Sequence, residues 1–428
     1  MKPLTWSALS AAEQAAALAR PPARRSAELV NGVTSIVNEV RDGGWPALCA
    51  IADGIDGAVP ARVAIAPLAA EARRTLPAHA VSAMELAAAN VAAFHEASRP
   101  ADTAVETMPG LRVEKVWRPL DRVGLYVPGG ATPLFSTLLM LALPARAAGV
   151  GEIVVVTPPS EGGLAAALAL AAELCGITHV WTVGGAQAIA ALAFGAGDIP
   201  ACPKICGPGN AWVAEAKTQV SALPGGPAID MPAGPSELMV IADATASPAT
   251  VAADLLSQAE HDAAAQVLLV SDDEPLIAAA LAEVERQVTT LPRADLARRS
   301  LKHGRAILAA DLREAAAIAN AYAPEHLCLA LADPDALLPA LTNAGAIFAG
   351  HAAAESFGDY LAGSSHVLPT DGAARAWSGI TTHSFMKAIS IQRVSPEAGR
   401  ALAGPAAALA RLEALEAHAR AADARNAA

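Results

Sequence analysis

The chain has no run of about 18 residues free of polar or helix-breaking positions, which excludes a membrane-spanning helix. Its apolar fraction of 54% and mean hydropathy of +0.36 come from abundant alanine, not from lipid-facing segments. The first residues, MKPLTWSALSAAEQ, lack a basic stretch followed by a long apolar core. No signal peptide is therefore expected, and the cytoplasm is the expected compartment. Lysine and arginine form no block, and a net charge of −12 leaves no clustered positive face for nucleic acid or an acidic membrane. Cysteine is scarce, with Cys49, Cys175, Cys202, Cys206 and Cys328 scattered along the chain. An odd number so dispersed reads as reduced thiols. Cys202 and Cys206 have no second pair at zinc-finger spacing. Also missing is a GxGxxG between a strand and a helix, the usual dinucleotide fingerprint.

What is present is alternation. At 428 residues the chain is too long for one small core, and two main lobes are expected. From Arg122, strands at 122–127, 153–157, 180–183 and 204–206 alternate with helices at 134–147, 163–175, 187–194 and 210–220. A second series starts with a strand at Leu238 and continues with strands at 267–271, 306–308, 327–331 and 346–349. Its helices fall at 248–260, 275–290, 312–321 and 334–343. Such βα repetition builds parallel sheets, so the expected fold is α/β with two Rossmann-like doubly wound lobes.

Residues 1–121 would hold N-terminal helices near 25–41 and 78–97 and a strand at Leu111–Trp117, packing with the second lobe. Ser10 and Glu13 predict a capping box at the start of a short first helix. Residues 122–235 would form the first lobe, 236–380 the second and 381–428 a C-terminal helical tail, amphipathic over 405–425. Pro224-Gly225-Gly226-Pro227 is expected to mark the crossing between lobes. The first-lobe glycines stand at strand-to-helix turns: Gly129-Gly130, Gly184-Gly185 and Gly207-Pro208-Gly209-Asn210. Such turns can offer backbone N–H groups to phosphate, or simply be tight loops.

The organising stretch is AIDMPAGPSELMVIADATASPATVAADLLSQAEHD, from Ala228 to Asp262. It places Gly234-Pro235-Ser236-Glu237 before a short apolar run, then a helix opened by Ser247 and Pro248. Gln258 and His261, three residues apart, project from one side of that helix's last turn. Two clusters could join this wall. Pro324 presents Glu325 and His326 at the head of a strand, where a histidine titrating near pH ~6.5 suits acid–base work. The bland alternative is a histidine closing a loop. Glu355-Ser356-Phe357-Gly358-Asp359-Tyr360 and the following His366 combine glycine, acid and imidazole, or form a polar surface loop. Glu413 and His418, five apart, share a helix face poorly and read by default as solvated. His261, Asp359 and His418 are sound zinc ligands by type, with the Gln258 amide oxygen weaker. Separations above 150 residues leave a metal site unestablished by spacing.

With these residues in view, the chain closely resembles the histidinol dehydrogenase family. The resemblance rests on VGLYVPGGATPLFSTLLM, VGGAQAIAALAFG, GPGNAWVAEAK, AIDMPAGPSELMVIAD, DLLSQAEH, APEHL and GDYLAGSSHVLPT, in the family's order. It runs from about Arg122 to the C-terminal helix and more loosely through the N-terminal helices. It implies an enzyme with one zinc per subunit that uses NAD. The reaction implied takes L-histidinol through L-histidinal to L-histidine in two hydride transfers, the last step of histidine biosynthesis.

By motif position, the resemblance implies zinc held by Gln258, His261 and Asp359, with His418 from the other subunit of a homodimer. Glu325 and His326 would move protons, His326 taking the alcohol proton and Glu325 helping to activate water on the aldehyde. Substrate would also meet Ser236, His366 and Glu413, and NAD would meet Tyr126, Gln187 and Asn210. Ser365 stands where the family commonly has asparagine. A family relative acting on another primary alcohol, such as a dihydroxypropanesulfonate, is the alternative substrate reading. Cys328, facing the same way as His326 on a strand, would permit a thiohemiacetal route. A zinc hydrolase would leave the implied NAD residues without a use, and a non-catalytic binding protein would leave the acid, base and metal groups without one.

Overall fold

The computed structural model describes residues 1, 3–21, 26–129, 134–231 and 234–426. Strand β1 (Pro3–Thr5) and helix α1 (Ala11–Ala17) open the chain. The Ser10 hydroxyl accepts from the Glu13 amide and the Glu13 carboxylate accepts from the Ser10 amide, which is the expected capping box. Helix α2 (Ala27–Asp56) runs well past residue 41, with Gly44 at φ 57° and ψ −138° breaking it just before Pro46. Proline lacks the N–H that a continuous helix needs. Strand β2 (Ala61–Ala64), helices α3 (Ile65–Thr75) and α4 (Ala78–Ala97), and the hairpin β3 (Thr103–Met108) and β4 (Leu111–Pro119) follow.

The first βα series comprises β5 (Arg122–Tyr126), α5 (Phe135–Ala148), β6 (Glu152–Thr157), α6 (Ala166–Leu174) and β7 (His179–Thr182). It continues through α7 (Gly185–Phe194), β8 (Lys204–Cys206), α8 (Ala211–Ser221) and β9 (Ala228–Ile229). The second series starts with β10 (Glu237–Ala242), α9 (Pro248–Ala259), β11 (Gln266–Ser271), α10 (Glu274–Val288) and α11 (Ala294–Leu301). It continues with β12 (Arg305–Leu308), α12 (Leu312–Tyr322), β13 (His326–Ala330), β14 (Ala346–Ala349) and α13 (Glu355–Tyr360). Strand β15 (Met386–Val394) and helices α14 (Pro396–Leu412) and α15 (Glu416–Asp423) end the chain.

The two series form two sheets of the same design. Strand order is β2-β7-β6-β5-β8-β9 in one and β1-β12-β11-β10-β13-β14 in the other. All pairs are parallel except β2 on β7. In each, the first strand of the series is central and the winding reverses beside it, which is the doubly wound arrangement. Every residue of β10 and β11 is buried, as strands covered on both faces should be. Leu238 and Val240 pack in the core on the α9–α10 side, while Met239 and Ile241 join the core on the α12 side. Each such buried aliphatic side chain contributes about 1.5–3 kcal/mol of hydrophobic stabilisation.

Several expectations are corrected. Helices α2, α3 and α4 pack on the first lobe: α2 lies against α7 and α8, α3 against α6, and α4 against α5. The arm from β1 to Arg20 joins the second lobe, and Asn90 of α4 donates to the Leu361 carbonyl there. Strand β4 pairs with β3 and β15 in a separate antiparallel sheet, so the tail after residue 381 holds a strand before its helices. Pro224–Pro227 lies between α8 and β9, inside the first lobe. The expected helix 334–343 is a single 3-10 turn, Leu338–Ala340, because Pro339 interrupts any longer ladder. The 405–425 helix divides into α14 and α15 at Ala414, whose φ of 58° costs an L residue about 1–2 kcal/mol. Ser247 has the backbone of an N-cap, but its side chain makes no capping bond. Gly130 lies outside the described residues. Among the described residues, no helix is long and apolar enough to cross a membrane.

Candidate active site

In the first lobe, the residues expected to meet NAD stand at the carboxyl ends of the strands. Tyr126 ends β5, and its hydroxyl accepts from the Gly185 amide at 3.3 Å. Gln187, in the first turn of α7, is buried and donates to Asp56 at 3.2 Å. Asn210 caps α8, its Oδ1 accepting from the amides of Trp212 and Val213. The turn before Asn210 demands glycine, because Gly207 has φ 127° and a Cβ there would stand 2.0 Å from the Tyr126 carbonyl oxygen. Asp230 accepts from the Gly207 amide at 2.7 Å and Lys217 donates to its carbonyl at 3.0 Å. Lys217 and Asp230 are both buried and ion-paired, so this turn is held from beneath. A cavity of about 350 Å³, lined by Gly129, Thr157, Pro158, Ser160 and Gly163, opens beside β5 and β6.

In the second lobe, the polar groups converge at the opposite, amino end of the sheet. His326 opens β13, in register with Leu238 of β10 and Ala346 of β14. Helix α9 runs back from the carboxyl end of β10, so its last turn delivers Gln258, and just beyond it His261, to the same edge. His326 Nδ1 is 3.1 Å from the Glu237 carbonyl oxygen. A carbonyl only accepts, so Nδ1 carries the proton and Nε2 keeps the lone pair. Nε2 is buried without a hydrogen-bond partner and lies 3.7 Å from Asp359 Oδ1. The ring stacks on Phe348, with centroids 5.9 Å apart. Burial pushes its pKa down to about 3, leaving a neutral imidazole with one free nitrogen.

Glu325 accepts from the Glu237 amide at 2.9 Å. Burial, reinforced by neighbouring carboxylates, pushes its pKa well above the usual range despite that amide. Gln258 is 1% exposed, and its Oε1 has no partner. An orphaned buried acceptor is costly unless a ligand satisfies it. His261 reaches the surface of the chain, yet desolvation still lowers its pKa. Asp359 is raised to about 6 by burial. Ser236 is half-buried immediately before β10, and its carbonyl accepts from the Gln266 amide at 3.1 Å. His366 uses both ring nitrogens within the protein, Nδ1 on the Asp359 carbonyl at 3.0 Å and Nε2 on Thr137 Oγ1 at 3.1 Å. Because Thr137 belongs to α5, His366 ties the second-lobe loop to the first lobe. Its pKa is lowered to about 4, chiefly by burial.

Glu413 and His418 are exposed on the C-terminal helices, which pack mainly on one another. Among the described residues, neither bonds to the Gln258, His261 and Asp359 group, and no three His, Cys, Asp or Glu side chains form a metal site. The chain itself offers an unpartnered amide oxygen, an imidazole and a carboxylate. These donors fit zinc if at least one further ligand comes from outside this cluster.

Three participants carried no assigned role in the sequence. Glu237 brackets Glu325 and His326 with its backbone, and Arg20 holds the Glu237 carboxylate. Glu355, which the sequence placed either in a chemical cluster or in a polar surface loop, is 1% exposed. It sits four residues before Asp359 on one helix face, with Oε1 3.3 Å from His326 Nδ1 and Oε2 accepting from Ser257. The helical spacing of Glu355 and Asp359 was the available signal. Cys328 is 2% exposed, and burial raises its thiol pKa well above the usual value, which disfavours a reactive thiolate.

Comparison with known proteins shows the family. The family profile described as histidinol dehydrogenase matches residues 19–426. A histidinol dehydrogenase of Xylella fastidiosa (strain Temecula1) is 50% identical over 424 residues, covering 98% of each chain. One of Xanthomonas axonopodis pv. citri is 48% identical over 423 residues, again covering 98% of each. The crystal structure of histidinol dehydrogenase from Elizabethkingia anophelis superposes with a TM-score of 0.95 at 38% identity, covering 99% of this chain and 98% of that one. These matches give the dihydroxypropanesulfonate reading no support. The chain belongs to the histidinol dehydrogenase family and is an NAD-dependent oxidoreductase.

Proposed function

We propose that this protein oxidises L-histidinol through L-histidinal to L-histidine with two NAD+, completing histidine biosynthesis in the cytoplasm. The observation that carries the reading is a neutral His326 whose unpartnered Nε2 lies 3.7 Å from Asp359 Oδ1, in a lobe where the buried Oε1 of Gln258 also lacks a partner. The first oxidation releases a hydride and a proton from the alcohol. The second releases the same from the hydrated aldehyde, so water must be added between them. His326 Nε2 takes the alcohol proton, and Glu325, buried beside it, assists the attack of water on the aldehyde. Nδ1 stays on the Glu237 carbonyl throughout, which keeps the ring aimed and stabilises it while Nε2 holds a proton.

When bound, zinc supplies a cation that orients the substrate and NAD+ supplies the hydride acceptor. Gln258, His261 and Asp359 hold the metal, one per subunit, with His418 of a second copy as the remaining protein ligand. Ser236, His326, His366 and Glu413 complete the substrate site, Glu413 also from that copy. The exposure of Leu409, Leu412 and Leu415 on and between α14 and α15 supports an assembly in which the tail (381–428) covers a partner's site. On this reading residues 122–235 serve NAD through Tyr126, Gln187 and Asn210, while residues 236–380 serve zinc and substrate. NADH formation from L-histidinol, lost on chelation and regained with zinc, tests the reading against a dihydroxypropanesulfonate control. Turnover of the control alone would overturn it.

A further inference from the structure

Glu237 touches both proton-handling side chains through its own backbone. Its amide donates to Glu325 and its carbonyl accepts from His326 Nδ1. The side chain fixes that backbone. Its carboxylate, in a residue 2% exposed, accepts from Arg20 Nε, from Arg20 Nη2 at 2.8 Å and from the Asp371 amide at 2.9 Å. A guanidinium gripping a carboxylate through two nitrogens sets orientation as well as charge. Arg20 is fixed in turn, its guanidinium carbon 4.0 Å from the centroid of the Tyr322 ring and Nη2 donating to the Tyr322 carbonyl at 2.9 Å. The Tyr322 hydroxyl donates to Gln266 at 2.9 Å, and the Gln266 amide donates to the Ala19 carbonyl at 3.0 Å. The arm that begins with β1 therefore ends as a lock on the amino end of β10.

We propose that Arg20 and Glu237 are positioning residues for the oxidation, their ion pair holding one residue's N–H and C=O so that Glu325 and His326 keep their reacting geometry. The proposal rests on Glu325 and His326 being the proton-transfer pair. A buried ion pair can also serve stability alone. The experiment must therefore separate the two roles.

Arg20→Met and Glu237→Gln are made in the zinc-loaded enzyme, each in the wild-type and in the His326→Ala background. Glu237→Gln keeps the side-chain shape and both backbone groups, so it carries the test if Arg20→Met does not fold. The expected result is a kcat lowered about 10–100-fold, with KM for L-histidinol and NAD+ within about twofold and zinc content unchanged. In the His326→Ala background the same substitutions should lower the residual kcat much less than in wild type, because one of the two groups they position is gone. Unchanged kcat in the wild-type background, or equal losses in both backgrounds, would overturn the positioning role. Full kcat in His326→Ala alone would overturn the base assignment on which the proposal rests.

Discussion

The carbonyl oxygen of Glu237 stands 3.1 Å from Nδ1 of His326, and that contact decides which ring nitrogen is free for chemistry. His326→Ala removes the free nitrogen without removing a proposed metal ligand. kcat should fall by about 10²–10⁴, the usual worth of a positioned general base, with zinc content unchanged. Steady-state kinetics and metal analysis of the same preparation check both halves.

Asp359→Ala removes a carboxylate from the chain's own donor set, and His418→Ala removes an exposed imidazole that bonds to none of that set within one chain. Both should lower zinc per subunit, although only Asp359 lies beside His326 in the monomer. Unchanged zinc in both variants would contradict the ligand assignment.

Gly207→Ala probes the first lobe. The left-handed φ and the Tyr126 carbonyl 2.0 Å from the added Cβ require the turn to move. The substitution should cost more than about 1 kcal/mol of stability and raise KM for NAD+ more than KM for L-histidinol. Thermal unfolding and kinetics with each substrate varied test it.

His95 offers a test of stability away from the site. Its ring is buried in α4, neither ring nitrogen has a partner, and burial pushes its pKa down to about 4. The unfolded chain, with an ordinary histidine near pH ~6.5, binds more protons between these values. This contribution is therefore complete above about pH 6.5 and is lost as pH falls toward 4. His95→Leu should remove about 2 kcal/mol of the stability difference between pH 8 and pH 5. Urea unfolding at the two pH values, at one protein concentration, measures it. An identical acid dependence in wild type and variant would contradict it.

The sequence made the central strands of the two sheets legible because they are short apolar runs between helices, while the edge strands β1, β2 and β9 went unread. It made Gln258, His261, Glu325 and His326 legible because each stands at the end of a readable element. What stayed hidden depends on distant pairings. Strand β15 finds β4 across more than 260 residues, and Arg20 finds Glu237 217 positions further along. Neither pairing has a local signal. The helix break at Ala414 has no glycine or proline at the break itself to announce it. Whether Glu355 belonged to a site or to a surface loop stayed open, because six-residue α13 is too short to show which face it buries.

The most direct measurement is the amount of NADH formed for each L-histidinol consumed. Two successive hydride transfers at the His326 edge of the second lobe predict two NADH per histidinol, with L-histidine as the product. One NADH per histidinol, with L-histidinal accumulating in solution, would contradict the account.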